Sequence, residues 1–133
     1  MTNNSIHTIT VQGEWCGAGI QKNKLGLMKP NWFIFTVDEN GKRVGLKEMR
    51  NFIAQSEVLT MVPLLEMGND LPSKYPDEKS LLDRAGKDDS HSYQNDVPEG
   101  IVIRPSEPVY SPTLRGPLSM KVINNKYLLK NKD

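Results

Sequence analysis

The sequence predicts an α+β domain built on antiparallel sheet. Short runs of β-branched and aromatic residues recur along the chain, two stretches keep a helical apolar period, and strands do not alternate regularly with helices. A length of 133 residues favours a single domain over 1–133. A chain of that size buries roughly two thirds of its unfolded surface, enough for a real core.

Taken in order, residues 8–15 (TITVQGEW) are rich in β-branched side chains and read as a strand. Gly17-Ala18-Gly19 breaks it, and 20–30 is a loop carrying Lys22, Lys24 and Lys29. Trp32-Phe33-Ile34-Phe35-Thr36-Val37 is the clearest strand, followed by the turn chemistry of Asp38-Glu39-Asn40-Gly41. Leu46, Met49, Phe52 and Ile53 form the stripe of an amphipathic helix over 45–55. Residues 58–65 read as a strand that Pro63 interrupts or places at an edge. The stretch 69–96 is polar, acidic and proline-bearing, with a short helix over 77–85 docked by Leu81 and Leu82 and a mobile loop over 86–96. Two apolar runs follow, 99–104 and 119–123, and Asn124-Asn125 is expected to turn the second into a partner strand over 126–129.

Lys and Arg number 17 against 16 Asp and Glu, which excludes a basic nucleic-acid tail or an acidic solvating segment as the whole protein. The distribution is uneven: 66–99 carries four basic and nine acidic side chains, 115–133 five basic and one acidic. That basic end reads as solvated surface. The lone cysteine, Cys16, excludes an intrachain disulfide and suits a reducing compartment. No apolar run nears the ~18 residues that span a bilayer, and the first residues lack a signal-peptide pattern, so a cytoplasmic location with no membrane contact is expected. GxxxxGK[ST], GxGxxG and GxSxG motifs are all absent. His7 and His91 lack metal-ligand spacing and read as surface residues, and Cys16 as structural.

Four segments in order are more specific than any one alone. Gln12-Gly13-Glu14-Trp15-Cys16-Gly17-Ala18-Gly19-Ile20-Gln21, Trp32-Phe33-Ile34-Phe35, Glu99-Gly100-Ile101-Val102-Ile103-Arg104 and Ser119-Met120-Lys121-Val122-Ile123-Asn124 resemble the second half of the nucleotidyltransferase domain of ATP-dependent RNA ligases. The resemblance, running from about residue 10 to 130, implies a ligase-type (ATP-grasp-like) nucleotidyltransferase fold, incomplete in this chain, that binds ATP or AMP with Mg²⁺ and acts on RNA ends.

The resemblance also implies roles. Glu14 would accept a hydrogen bond from a ribose hydroxyl, and Phe35 would stack on adenine. Glu99 would help hold the divalent metal, for which a hard carboxylate oxygen is suited. Ser119 and Lys121, two apart on a strand and so on one face, would meet the α-phosphate. Residue types alone allow plainer readings: Glu14 as an exposed strand-end acid, Phe35 as core, Lys121 as a snorkelling surface lysine. The chain departs from the family pattern at Thr36, where relatives often have Asp, and at Ser119, where some have the first lysine of Lys-x-Lys.

The family's nucleophile is a lysine in a Lys-x-Asp-Gly motif, whose amine attacks the α-phosphate of ATP to form lysyl-AMP. No such motif occurs in these 133 residues, and no lysine precedes Gly13. No catalytic residue is therefore assigned, and the chain alone is expected not to form lysyl-AMP. The alternative is a non-catalytic, degenerate ligase-fold module that binds a nucleotide, RNA or a protein partner. A missing section would leave strand edges near 10–15 and 32–37 uncovered, so a homodimer, or a second chain supplying the segment, is expected.

Overall fold

A computed structural model describes residues 7–20, 23, 26–87 and 97–130. Its elements group into two compact units. One contains the described residues of 1–15, 31–62 and 105–118, the other those of 16–30, 63–104 and 119–133.

The first unit is organised by a long central strand. β1 (Ile9–Cys16), β2 (Asn31–Glu39), β3 (Lys42–Arg43) and β4 (Thr60–Met61) form one sheet in which β2 pairs with all three others. Asn40 donates its backbone N–H to the Thr8 carbonyl at 2.8 Å, and Gly13 lies against Trp32 and Phe33, so β1 and β2 run in opposite directions. Asn40 and Gly41, at φ 50° and 80°, make the tight turn that pairs Asp38 with Arg43. β4 pairs parallel with β2, Phe33 opposite Thr60 and Ile34 opposite Met61, and ends before Pro63 as its missing N–H requires. Helix α1 (Leu46–Ala54) turns Ile53 inward onto Ile34 and Val37, with Met49 and Phe52 packed around them. β6 (Tyr110–Ser111) and β7 (Gly116–Pro117) close a small hairpin, and the Leu46 N–H donates to the Ser106 carbonyl, tying that segment to the start of α1.

The second unit holds α2 (Leu71–Lys74), α3 (Glu78–Ala85), β5 (Gly100–Ile103), β8 (Met120–Ile123) and α4 (Asn125–Lys130). β5 and β8 pair antiparallel with Val102 opposite Lys121, and α3 packs against β8. The Asp77 carboxylate accepts from the Ser80 N–H, and the Ser80 hydroxyl accepts from the Asp77 N–H, so the helix expected over 77–85 begins in a capping box. Glu66 is held by Lys74, Tyr75 and Arg84, a tie from the segment before α2 to both helices.

The expected antiparallel, α+β character is present. Residues 126–129 depart from expectation: they are helical, within α4, rather than a strand. Asn124 does not turn a hairpin; its side-chain oxygen accepts from the Lys126 N–H at 3.1 Å, and its carbonyl accepts from Tyr127 and Leu128. It is a helix N-cap, held in place because its buried amide also donates to the Pro98 carbonyl. The short elements α2, β3, β6 and β7 also went unforeseen. The loop expected over 86–96 lies, from residue 88 on, outside the described residues, as does His91. No described helix is long and apolar enough to cross a membrane.

Candidate functional site

Glu14 and Phe35 belong to the first unit; Glu99, Ser119 and Lys121 belong to the second.

In the first unit, Trp15 stacks on Trp32 with ring centroids 6.5 Å apart. A Cβ at Gly13 would sit 2.7 Å from the Trp32 indole nitrogen and 2.6 Å from the Phe33 carbonyl oxygen, so only glycine lets Trp32 lie there. Both contacts put the odd-numbered residues of β1 on the Trp32 face of β2. Strand alternation then puts Glu14 on the opposite face, with Phe33 and Phe35. Phe33 is buried, Phe35 half-buried and Glu14 exposed.

In the second unit, Lys121 Nζ donates to Glu99 Oε1 at 2.8 Å. Strict alternation would turn Glu99 away from Lys121, because Lys121 faces Val102 and Glu99 is three residues from Val102. Gly100, at φ 155°, breaks the alternation in a region that favours glycine and lets the carboxylate come round. Although the apolar run 99–104 opens with Glu99, its side chain is 54% exposed and lies just before β5. The strand pair is two-stranded and open on the Lys121 side, where Val102 and Ile123 are also exposed. Solvent reaches both partners, so the ion pair is worth about 0–1 kcal/mol and is readily exchanged.

Ser119 is half-buried, and its Oγ accepts from Arg104 Nε at 3.2 Å, a pairing that residue types alone did not suggest. The usable signal was register: with β5 and β8 paired as found, Arg104 falls across from Ser119. The described residues contain no group of three or more His, Cys, Asp or Glu side chains able to enclose a metal. An open concavity of about 380 Å³ beside Glu39, Asn40, Lys42, Arg43 and Val44 involves none of the candidate residues.

Among solved structures, the chain is similar to Naegleria gruberi RNA ligase with PPi, at TM-score 0.70 and 24% identity over 94% of this chain and 35% of that one. A lysine-to-alanine mutant of that ligase with ATP and Mn matches at TM-score 0.70 and 23% identity, covering 94% and 34%. A lysine-to-methionine mutant with AMP and Mn matches at 0.67 and 24%, covering 94% and 35%. Likeness at this identity shows the fold, and the chain spans about a third of the length of those ligases. No curated protein matches the chain. A family model described as RNA ligase matches residues 1–123, nearly the whole sequence, and the chain therefore belongs to the RNA ligase family.

Proposed function

We propose that this chain is the nucleotide-holding part of an ATP-dependent RNA ligase, which joins RNA 5′-phosphate to 3′-hydroxyl ends, and that by itself it binds ATP or AMP without forming lysyl-AMP. The observation that carries the reading is the sheet face that alternation assigns to both Glu14 and Phe35, one an exposed carboxylate and the other a half-buried ring. Phe35 offers its ring to adenine, a stack worth about 1–3 kcal/mol. Glu14, an acceptor-only carboxylate, takes a hydrogen bond from a ribose hydroxyl and fixes the sugar relative to the base.

Lys121 and Ser119 serve the α-phosphate as ammonium and hydroxyl donors. Without nucleotide, Lys121 is paired with Glu99. Arrival of a phosphate gives Lys121 a stronger anion and releases Glu99. A single exposed carboxylate does not enclose a cation, but it suits Mg²⁺, which keeps several waters and is held largely by phosphate oxygens. Bound there, the ion would neutralise charge on the phosphates. Absence of a Lys-x-Asp-Gly motif from these residues favours a binding role for this chain, which keeps the alternative of a non-catalytic module in view.

Calorimetry with ATP tests binding: the chain should bind weakly, and Phe35→Ala and Glu14→Ala should each weaken it. Incubation with radiolabelled ATP and Mg²⁺ should leave no label after denaturation. A label that survives, and disappears in a single Lys→Ala variant, would refute the proposed division of labour.

A further inference from the structure

We propose that Asn124 is a positioning residue: its buried side-chain amide and its backbone N–H hold the two carbonyls that flank the Glu99 α-carbon, and so aim the Glu99 carboxylate. This rests on the reading of Glu99 as the carboxylate that meets the divalent cation, and adds a residue which that reading does not use.

The ladder of β5 with β8 ends with Gly100 opposite Ile123, so the next step sets Glu99 across from Asn124, within the second unit. The Asn124 backbone N–H donates to the Glu99 carbonyl at 2.8 Å, and its side-chain amide donates to the Pro98 carbonyl at 2.8 Å. The Pro98 carbonyl lies in the peptide plane before the Glu99 α-carbon, and the Glu99 carbonyl in the plane after it. Peptide planes are rigid, and only φ and ψ turn between them. Holding both planes therefore restrains both dihedrals of Glu99, and with them the direction of its Cα–Cβ bond. Gly100 follows at φ 155°, where a Cβ would sit 2.2 Å from the Val122 carbonyl oxygen. From that backbone the Glu99 carboxylate meets Lys121 Nζ at 2.8 Å.

Asn124 is itself held. Its side-chain oxygen accepts from the Lys126 N–H at 3.1 Å, which fixes the end of the amide that faces Pro98. Its carbonyl accepts from the Tyr127 and Leu128 N–H groups at 3.0 and 3.2 Å. A Cβ at Gly86 would lie 3.1 Å from the side-chain oxygen, so the C-terminal end of α3 leaves the amide little room to swing. With 3% of its surface exposed, Asn124 acts on Glu99 from within and through the backbone, rather than by touching a ligand. Glu99, 54% exposed, needs that help: among the described residues no cluster of carboxylates, His or Cys stands ready to enclose a cation. A lone carboxylate beside a hydrated ion contributes most when its direction is set in advance, and groups that orient a metal ligand commonly carry 10–100-fold in metal affinity.

Asn124→Ser tests this, because serine still caps the helix but cannot donate an amide hydrogen bond to Pro98. The three-bond coupling between the Glu99 amide and α protons reads φ without any ligand present. It should shift toward a rotationally averaged value in Asn124→Ser and in Asn124→Asp, which keeps both size and cap. It should stay fixed in Ile53→Val, which loosens only the apolar cluster of the first unit. Calorimetry then gives the gain in ATP affinity between EDTA and excess Mg²⁺. That gain should fall about tenfold in Asn124→Ser and in Glu99→Gln. The double variant should lose no more than Glu99→Gln alone, a non-additivity that a merely structural asparagine would not produce. An unchanged Glu99 coupling in both Asn124 variants, or losses that add in the double variant, overturns the inference. A shifted coupling with the same Mg²⁺ gain in every variant supports Asn124 as the residue that aims Glu99 and takes the cation away from that carboxylate. ATP that binds neither with nor without Mg²⁺ removes the nucleotide reading, and the coupling then decides the inference by itself.

Discussion

The two units are held together by different physics. In the first, Ile34, Val37 and Ile53 form a buried apolar cluster, Phe33 is buried as well, and β2 is buried on both faces. In the second, Ala85 is the one buried apolar side chain among the described residues. Its other ties are polar: Asn124 to Pro98 and Lys126, Glu66 to Lys74, Tyr75 and Arg84, and Lys121 to Glu99. The candidate residues follow the same division. Phe35 lies on a packed strand, whereas Lys121 and Glu99 lie on or beside an open strand pair.

The sharpest way to break this comparison is to open the apolar cluster. Ile34, with no exposed surface, lies at its centre, and Ile34→Ala should destabilise the chain by about 2–5 kcal/mol, read as a lowered denaturant midpoint. A change below 1 kcal/mol would mean that the first unit does not depend on its core.

Binding should divide along the same line. Phe35→Ala should cost about 1–3 kcal/mol of ATP affinity and Lys121→Ala about 1.5–3 kcal/mol, but salt should separate them. Raising ionic strength screens an exposed charge contact and leaves a stack largely intact. The Lys121→Ala penalty should therefore shrink with added salt while the Phe35→Ala penalty persists. Equal salt dependence of the two would remove the proposed distinction between a stacking contact at Phe35 and a charge contact at Lys121.

How much of this was legible in sequence follows the same contrast. β1, β2 and α1 announce themselves because their apolar spacing is a local property that packing then uses directly. α4 is not legible locally because the deciding fact is distant: Asn124 caps a helix while its amide reaches a carbonyl 26 positions earlier. The pair Lys121–Glu99 needed the broken alternation at Gly100, and Arg104–Ser119 needed the register of β5 with β8, neither of which local pattern supplies. Glu14 and Phe35 could be named from motif order, but their common face needed the Trp15–Trp32 stack.

Asn124 gives the next effect in size. Asn124→Ala removes the cap on Lys126 and leaves the Pro98 carbonyl without its donor, at about 1–2 kcal/mol. Asn124→Asp separates the two roles, since a carboxylate still accepts from Lys126 but cannot donate to Pro98. Recovery of most of the stability by Asn124→Asp would show that the cap dominates; no recovery would show that the tie to Pro98 does.

The smallest effect is the acid response of the Glu66 network. The Lys74 hydrogen bond above all, then that of Tyr75, with Arg84 adding to them, holds the Glu66 carboxyl down from its ordinary 4.5 to about 2. A folded-state value below the unfolded one means that the network stabilises above pH 4.5 and that its contribution fades as pH falls toward 2. The Glu66 side chain is 27% exposed and that of Lys74 55%, so solvent and salt hold the contribution to about 1 kcal/mol or less. Glu66→Gln keeps the shape and removes the charge. Its stability deficit should be largest near neutral pH and should close between pH 4.5 and 2 in urea titrations of both proteins. A deficit constant across that window would mean that hydrogen-bonding shape, and not charge, joins the segment before α2 to its helices, and the second unit would then rest less on electrostatics than its paired side chains suggest.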